Sequence, residues 1–207
     1  MTNPVTSSTR SHTAVVAPIA FAASTLRTAE LAARHQLRLS DEHVGWRLRF
    51  ADGTVSRVYR ETVNDAPRQG AGCLLVVTFQ LRALGRRRFL HTLFRLESIL
   101  NTPLFAGFPG FRSKLWLAGQ SSAAYHGVYE WDGDELAATY AETLEVLLAA
   151  VCRPGTVRHH VSGGISPDRV LARVAGPGPW EGTVAAGPRD GRAGDWWRIE
   201  AAWPRPS

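Results

Sequence analysis

The run Cys73-Leu-Leu-Val-Val-Thr-Phe-Gln-Leu81 limits what this chain can fold into more than any other stretch. It carries no charge and is rich in β-branched and aromatic residues, which suits a central strand of a sheet. Arg86 to Leu100 follows, with Phe89, Leu93, Leu96 and Leu100 at helical spacing and Arg88, His91 and Arg95 opposite. Asn101-Thr-Pro103 closes that helix, because proline disfavours helical geometry in the residue before it. Phe111 to Leu117 alternates as a strand, Gly119 to Ser122 turns, and Ala124 to Trp131 is a third strand. Asp132 or Asp134 can cap a helix from Glu135 to Cys152, with Leu136, Tyr140, Leu144, Leu147 and Val151 as its apolar stripe. After Pro154-Gly155, Thr156 to Val161 is a fourth strand. The order strand, helix, strand, strand, helix, strand predicts an α+β protein with a ferredoxin-like βαββαβ core.

The flanks divide the chain further. Residues 1–13, rich in Ser and Thr, are expected to be disordered. Residues 14–66 form an N-terminal extension. In it, Ser24 to Gln36 reads as an amphipathic helix with Leu26, Leu31 and Ala32 near one face. Gly45 to Phe50 and Thr54 to Tyr59 form a hairpin, with Trp46, Leu48 and Phe50 alternating with Arg47 and Arg49 around Asp52-Gly53. Asn64 to Gly72 reads as a linker, residues 70–163 hold the core domain, and residues 164–207 read as a Gly-, Pro- and Trp-rich tail. That tail is expected to pack back through Trp180, Trp196, Trp197 and Trp203, with one edge strand between Trp196 and Ala202.

Alternation divides the core strands into two faces. One holds Val77, Phe79, Leu81, Phe111, Leu115, Leu117, Tyr125, Tyr129, Trp131, Val157 and Val161 and belongs under the helices. The other mixes Thr78, Gln80, Arg112, Lys114, His126, Glu130, Arg158 and His160 with Val76, Val128 and Trp116. Those three apolar residues need a cover, for which a second subunit or the N-terminal hairpin would serve. A homodimer is the expected assembly.

Composition narrows the function. The net charge is +6, but Lys114 is the only lysine among 24 Lys and Arg residues. A chain rich in Arg, Ala, Gly and Pro and poor in Lys is what a GC-rich coding sequence yields. The arginines are scattered apart from Arg86-Arg87-Arg88, so a nucleic-acid partner is not expected. The third strand lacks the basic-glycine-aromatic opening of an RNA-binding sheet. No run is apolar enough to span a membrane. Pro18 interrupts the apolar run Ala14–Ala23, which disfavours a signal peptide, and a cytoplasmic location is expected. Cys73 and Cys152 suit small buried hydrophobes. His159 and His160 point to opposite faces, and no metal-binding spacing is present, so no metal is expected. Phosphate-cradling and serine-hydrolase motifs are absent.

Phe108-Pro-Gly-Phe111 leading into Arg-Ser-Lys-Leu-Trp-Leu117, followed by Tyr125-His-Gly-Val-Tyr-Glu-Trp131, resembles the dimeric α/β-barrel superfamily. Within it, the likeness is to small monooxygenases related to the antibiotic-biosynthesis monooxygenases, over residues 72–162. The resemblance implies a homodimer whose sheets pack into a barrel, with a small-molecule site between sheet and helices. It also implies oxidation of an aromatic or polyketide-like molecule by oxygen, without a cofactor. The haem-degrading relatives need an axial histidine on a helix, and Glu135 to Cys152 has none.

Such chemistry needs a base and a group that holds an enolate-like anion in an aromatic site. His159 or His91 is the expected base, with Tyr129 or Asn101 at the anion. Trp131, Tyr125 and Phe79 are expected to line the substrate. His126 and Glu130, four apart on one strand face, read as a polar surface or interface pair. The alternative function is a non-catalytic ligand-binding or structural homodimer on the same fold.

Overall fold

A computed structural model describes residues 8–82, 102–120, 122, 124–176 and 194–205. Its strands are β1 (Leu37–Ser40), β2 (Arg47–Phe50), β3 (Val55–Asn64), β4 (Gly72–Gln80), β5 (Phe111–Gly119), β6 (Ala124–Asp132), β7 (Arg158–Gly163) and β8 (Ile199–Trp203). Its helices are α1 (Ser8–Ala33), α2 (Asp134–Val151) and α3 (Pro167–Val174), with a 3-10 turn at Thr102–Leu104. All eight strands belong to one sheet, in the order β7-β4-β6-β5-β3-β2-β8, with β1 paired to β3. The four core strands are antiparallel neighbours in the order β7-β4-β6-β5, which is the ferredoxin-like arrangement. The helix expected over 86–100 lies outside the described residues.

The outer face of the sheet lies under α1 and α2 around Leu75, Val77, Phe111, Trp116, Tyr129 and Trp131. The inner face gathers Leu74, Val76, Leu115, Leu117 and Val128 with Leu48 and Phe50 of β2, Leu171 of α3 and Ile199 of β8. The sheet therefore curls until its far strands cover its own inner face. Phe50 stacks on His126 with ring centroids 4.4 Å apart. At the seam, His160 of β7 stacks on Trp197 at 3.9 Å, and the Arg158 guanidinium lies 4.3 Å from the Trp196 ring. The chain thus covers Val76 and Val128 itself, so these residues no longer argue for a second subunit.

One departure from alternation matters most. Between β5 and β6, Phe111 pairs with Trp131 but Ser113 pairs with Glu130, so Arg112 is an extra residue. This bulge reverses the faces of β5 beyond it. Trp116 and Lys114, expected on the polar face, move to the outer core, while Leu115 and Leu117 move inside. The displaced Arg112 pairs with Asp132 at 3.4 Å and donates to the Ala66 carbonyl. A second extra residue, Tyr59, separates the pairs Val58–Leu117 and Arg60–Trp116 on β3.

The helices are rotated from their expected faces. In α2 the buried side is Ala137, Tyr140, Ala141, Leu144 and Leu148, while Leu136, Leu147 and Val151 are exposed. Small residues on the buried side let the helix sit close to the sheet, where the ring of its Tyr140 lies 4.7 Å from that of Trp131. In α1 the buried stripe is Ser24, Thr28 and Leu31, and Leu26 points to solvent. Ser24 donates to the Pro103 carbonyl at 2.7 Å. A side chain at Gly107 would collide with the Ser24 carbonyl, so the close seat of α1 depends on glycine there. Helix α1 starts at Ser8, so residues 8–13 are helical rather than disordered, and it ends at Ala33 rather than Gln36. Helix α3 stands where only a tail was expected, while β8, at the edge of the sheet, is the edge strand expected near Trp196 to Ala202. Ser166 caps α3 by accepting from the Arg169 amide, with Pro167 in the first turn. Trp180 lies outside the described residues.

Burial inside the curled sheet lowers the His126 imidazole from 6.5 to about 4. Its Nδ1 is 3.0 Å from the Ser56 hydroxyl. Because the folded value is depressed, the unfolded chain binds this proton first. Stability is therefore lost as pH falls from about 6.5 towards about 4, by on the order of 3 kcal/mol at most. Lowered His160 acts in the same direction and raised His43 in the opposite one. Denaturant unfolding across this range should show a shallower pH slope for His126→Gln than for the native chain. Equal slopes would contradict the assignment.

Candidate functional site: a buried lysine among aromatic rings

Three neighbouring strands bring Thr62, Lys114 and Tyr129 into one register row on the outer face. Leu75 and Val161 continue that row across β4 and β7. The bulge at Arg112 places Lys114 in it. Lys114 Nζ lies 3.1 Å from the centroid of the Trp116 ring, 4.4 Å from Phe105 and 4.7 Å from Tyr129. The residue is only 6 % exposed. Among the described residues no carboxylate pairs with its amine, although ion pairs hold Arg68 to Glu130 and Arg112 to Asp132. Burial, reinforced by the nearby Arg60 charge, holds the Lys114 amine well below its ordinary pKa.

The surroundings are aromatic and short of polar partners. Phe105, in the turn after Thr102–Leu104, meets Phe111 and Trp116 edge-on at 5.0 and 5.4 Å. Tyr129 packs against Tyr140 at 5.6 Å, and their hydroxyls are hydrogen-bonded to each other. Burial raises both phenols, so both stay protonated at neutral pH. Gly127 makes room for this arrangement: a Cβ there would lie 2.5 Å from a Tyr129 ring carbon. Arg60 donates to the Thr102 hydroxyl at 3.0 Å and lies 5.8 Å from the Trp116 ring, and burial lowers its pKa. Among the described residues, Thr62 Oγ1, Trp116 Nε1 and Trp131 Nε1 are buried without a hydrogen-bond partner. Such groups are costly to leave unsatisfied unless a ligand engages them.

The residues expected from sequence are only partly brought together. Tyr129 and Trp131 lie in this cluster. Phe79 and Tyr125 stack on each other at 5.8 Å, four residues further along β6. His159 lies on β7, opposite Val77, with its Nδ1 3.9 Å from the Glu145 carboxylate and its side chain 32 % exposed. It is a polar group at the sheet edge, outside the lysine cage. His91 and Asn101 lie outside the described residues. His126 and Glu130, read as a surface or interface pair, are buried inside the sheet, where Glu130 accepts from Arg68 at 2.8 Å.

Sequence spacing missed Lys114, because simple alternation put it on the wrong face. The available signal was compositional: one lysine in a chain whose other basic side chains are all arginine. Sequence spacing also missed Glu42, His43 and Glu61, whose potential metal-ligating atoms lie within 4.8 Å of one another. Here His43 Nδ1 meets Glu61 Oε1 at 3.1 Å, and the His43 amide donates to Glu61 Oε2. Burial opposes both charges. Their mutual hydrogen bond nevertheless leaves His43 above and Glu61 below their ordinary values, as in a closed ion pair. Burial pushes the thiols of Cys73 and Cys152 up to about 11, so both are unreactive packing groups. Among the described residues, no helix is long and apolar enough to cross a membrane.

No protein-family model and no curated protein matches the chain. Among solved structures, it is similar to an uncharacterized ferredoxin-fold protein from Listeria monocytogenes related to antibiotic biosynthesis monooxygenases. The identity is 14 %, with 53 % of this chain and 64 % of that one covered and a TM-score of 0.38. An anthrone oxidase-like protein gives 16 % identity over 55 % of this chain and 59 % of that one, with a TM-score of 0.34. A heme-degrading enzyme from Listeria monocytogenes gives 12 % over 61 % and 96 %, with a TM-score of 0.36. The chain thus spans less than two thirds of the first of these relatives. The ferredoxin-like arrangement of the core rests on this chain's own strand order, β7-β4-β6-β5.

A buried amine without a carboxylate partner is a net cost to folding. Lys114→Met keeps the length of the side chain and removes the polar group. Burial disfavours the charged form of this amine, so removing the amine relieves that cost. Chemical denaturation should find Lys114→Met more stable than the native chain, by about 1–3 kcal/mol. A loss of stability would mean that the amine is charged and contributes to the core.

Proposed function

We propose that the chain is a cofactor-independent, monooxygenase-like enzyme acting on an aromatic or polyketide-like small molecule. The observation that carries this reading is the Lys114 amine, set among Trp116, Phe105 and Tyr129 with no carboxylate partner among the described residues. A neutral amine accepts a proton from an acidic methylene or phenol, and aromatic walls suit a planar carbon acid. The Tyr129 and Tyr140 hydroxyls, both held protonated, are the donors for the resulting anion. The anion then gives its electrons to molecular oxygen. A methylene becomes a carbonyl with one oxygen atom, the other leaves as water, and the substrate supplies all four electrons. His159, at the edge of β7, has no part in this scheme.

A second reading, a non-catalytic ligand-binding or structural protein, is favoured by the close packing of Tyr129, Trp131 and Tyr140. An oxygen electrode with anthrone as probe separates the two. Catalysis requires uptake above the spontaneous rate, falling about a hundredfold in Lys114→Met. Uptake no faster than buffer from the folded native chain would favour the non-catalytic reading.

A further inference from the structure

We propose that Lys114 is also a covalent capture site for aromatic carbonyl compounds, forming a Schiff base through its Nζ. This rests on the reading above only in requiring that small aromatic molecules reach the cage.

Two observations independent of proton transfer point this way. Of the 24 Lys and Arg side chains all but one are arginine, and the single lysine occupies a buried position that has aromatic walls and, among the described residues, no carboxylate partner. A guanidinium there would stay charged, whereas an amine can lose its proton and act as a nucleophile. Among the described residues, the groups facing it are Arg60 from β3 and the rings of Phe105, Trp116 and Tyr129, and none of them is an anion. The second observation is the set of orphaned polar atoms. Thr62 pairs with Lys114 in the register, and the Trp116 ring lies directly against the amine, yet neither Thr62 Oγ1 nor Trp116 Nε1 has a partner among the described residues. A hydroxyl on the ring of a bound aromatic aldehyde would satisfy them.

The chemistry balances without a co-reactant. The nitrogen lone pair attacks the carbonyl carbon and a C–N bond forms. The carbonyl oxygen then leaves as water with the two amine protons, giving C=N. Borohydride makes the bond permanent by adding hydride to carbon, while solvent protonates nitrogen.

The probe is salicylaldehyde with borohydride, applied to the full native chain and read by intact mass and peptide mapping. Mapping separates Lys114 from the α-amino group, the other primary amine. One hydroxybenzyl group is expected on the Lys114 peptide. Its yield should fall less between about pH 8 and pH 7 than that of an ordinary lysine, which loses free amine roughly tenfold per pH unit. Lys114→Arg should take up no label at this position. Labelling of Lys114 only after denaturation, or none at all, overturns the proposal. Oxygen uptake that depends on Lys114 without a trapped imine would leave the oxygenase reading standing and remove this one. A trapped imine without oxygen uptake would do the reverse.

Discussion

One inserted residue decides what each side of this molecule is made of. Without Arg112 as an extra residue on β5, Leu115 and Leu117 would lie under the helices, and Lys114 and Trp116 would line the inner face. An amine beside Leu48, Phe50 and Val128 would have no aromatic face to lie against. With the bulge, two leucines complete the inner core and the lysine joins a row of aromatic groups. The bulge is itself held, because Arg112 is drawn to Asp132 and to the Ala66 carbonyl. A slip of one residue reverses a strand, so the position of this arginine is worth more than its charge.

The second constraint is closure. The core strands leave one face uncovered, and this chain covers it with β2, β8 and α3. Aromatic contacts between β7 and the Trp196-Trp197 pair close the seam, and Phe50 seals His126 inside. Titration of His126 is thereby coupled to the integrity of the whole curl. The outer face is then free for the helices and the lysine cage.

Much of the fold was legible in the sequence. The uncharged run after Gly72, the alternation around Asp52-Gly53 and the strand after Pro154-Gly155 all signal elements the structure contains, because period and turn chemistry act locally. What was hidden depends on distant packing. Leu26, Leu136 and Leu147 look like core residues, yet the helices turn their smaller side chains inward, where close approach to Pro103 and Trp131 repays it. Helix α3 was legible in Ser166-Pro167-Asp168, but its Gly- and Pro-rich neighbourhood masked that signal. The site was less legible than the fold. Alternation on β6, which has no bulge of its own, put Tyr129 and Trp131 on the outer face, where the structure has them. Lys114 was lost through the bulge, and its rarity in the composition was the remaining clue.

The account depends on Lys114 giving up its proton far more readily than a free lysine, and the chain offers a clean way to ask. With one lysine in the sequence, protein labelled at the lysine Cε carbon gives a single lysine resonance by nuclear magnetic resonance. Following that resonance with pH should show a titration midpoint well below the value of about 10.4 for a free lysine. A midpoint at or above that value, in the folded protein, would contradict the account.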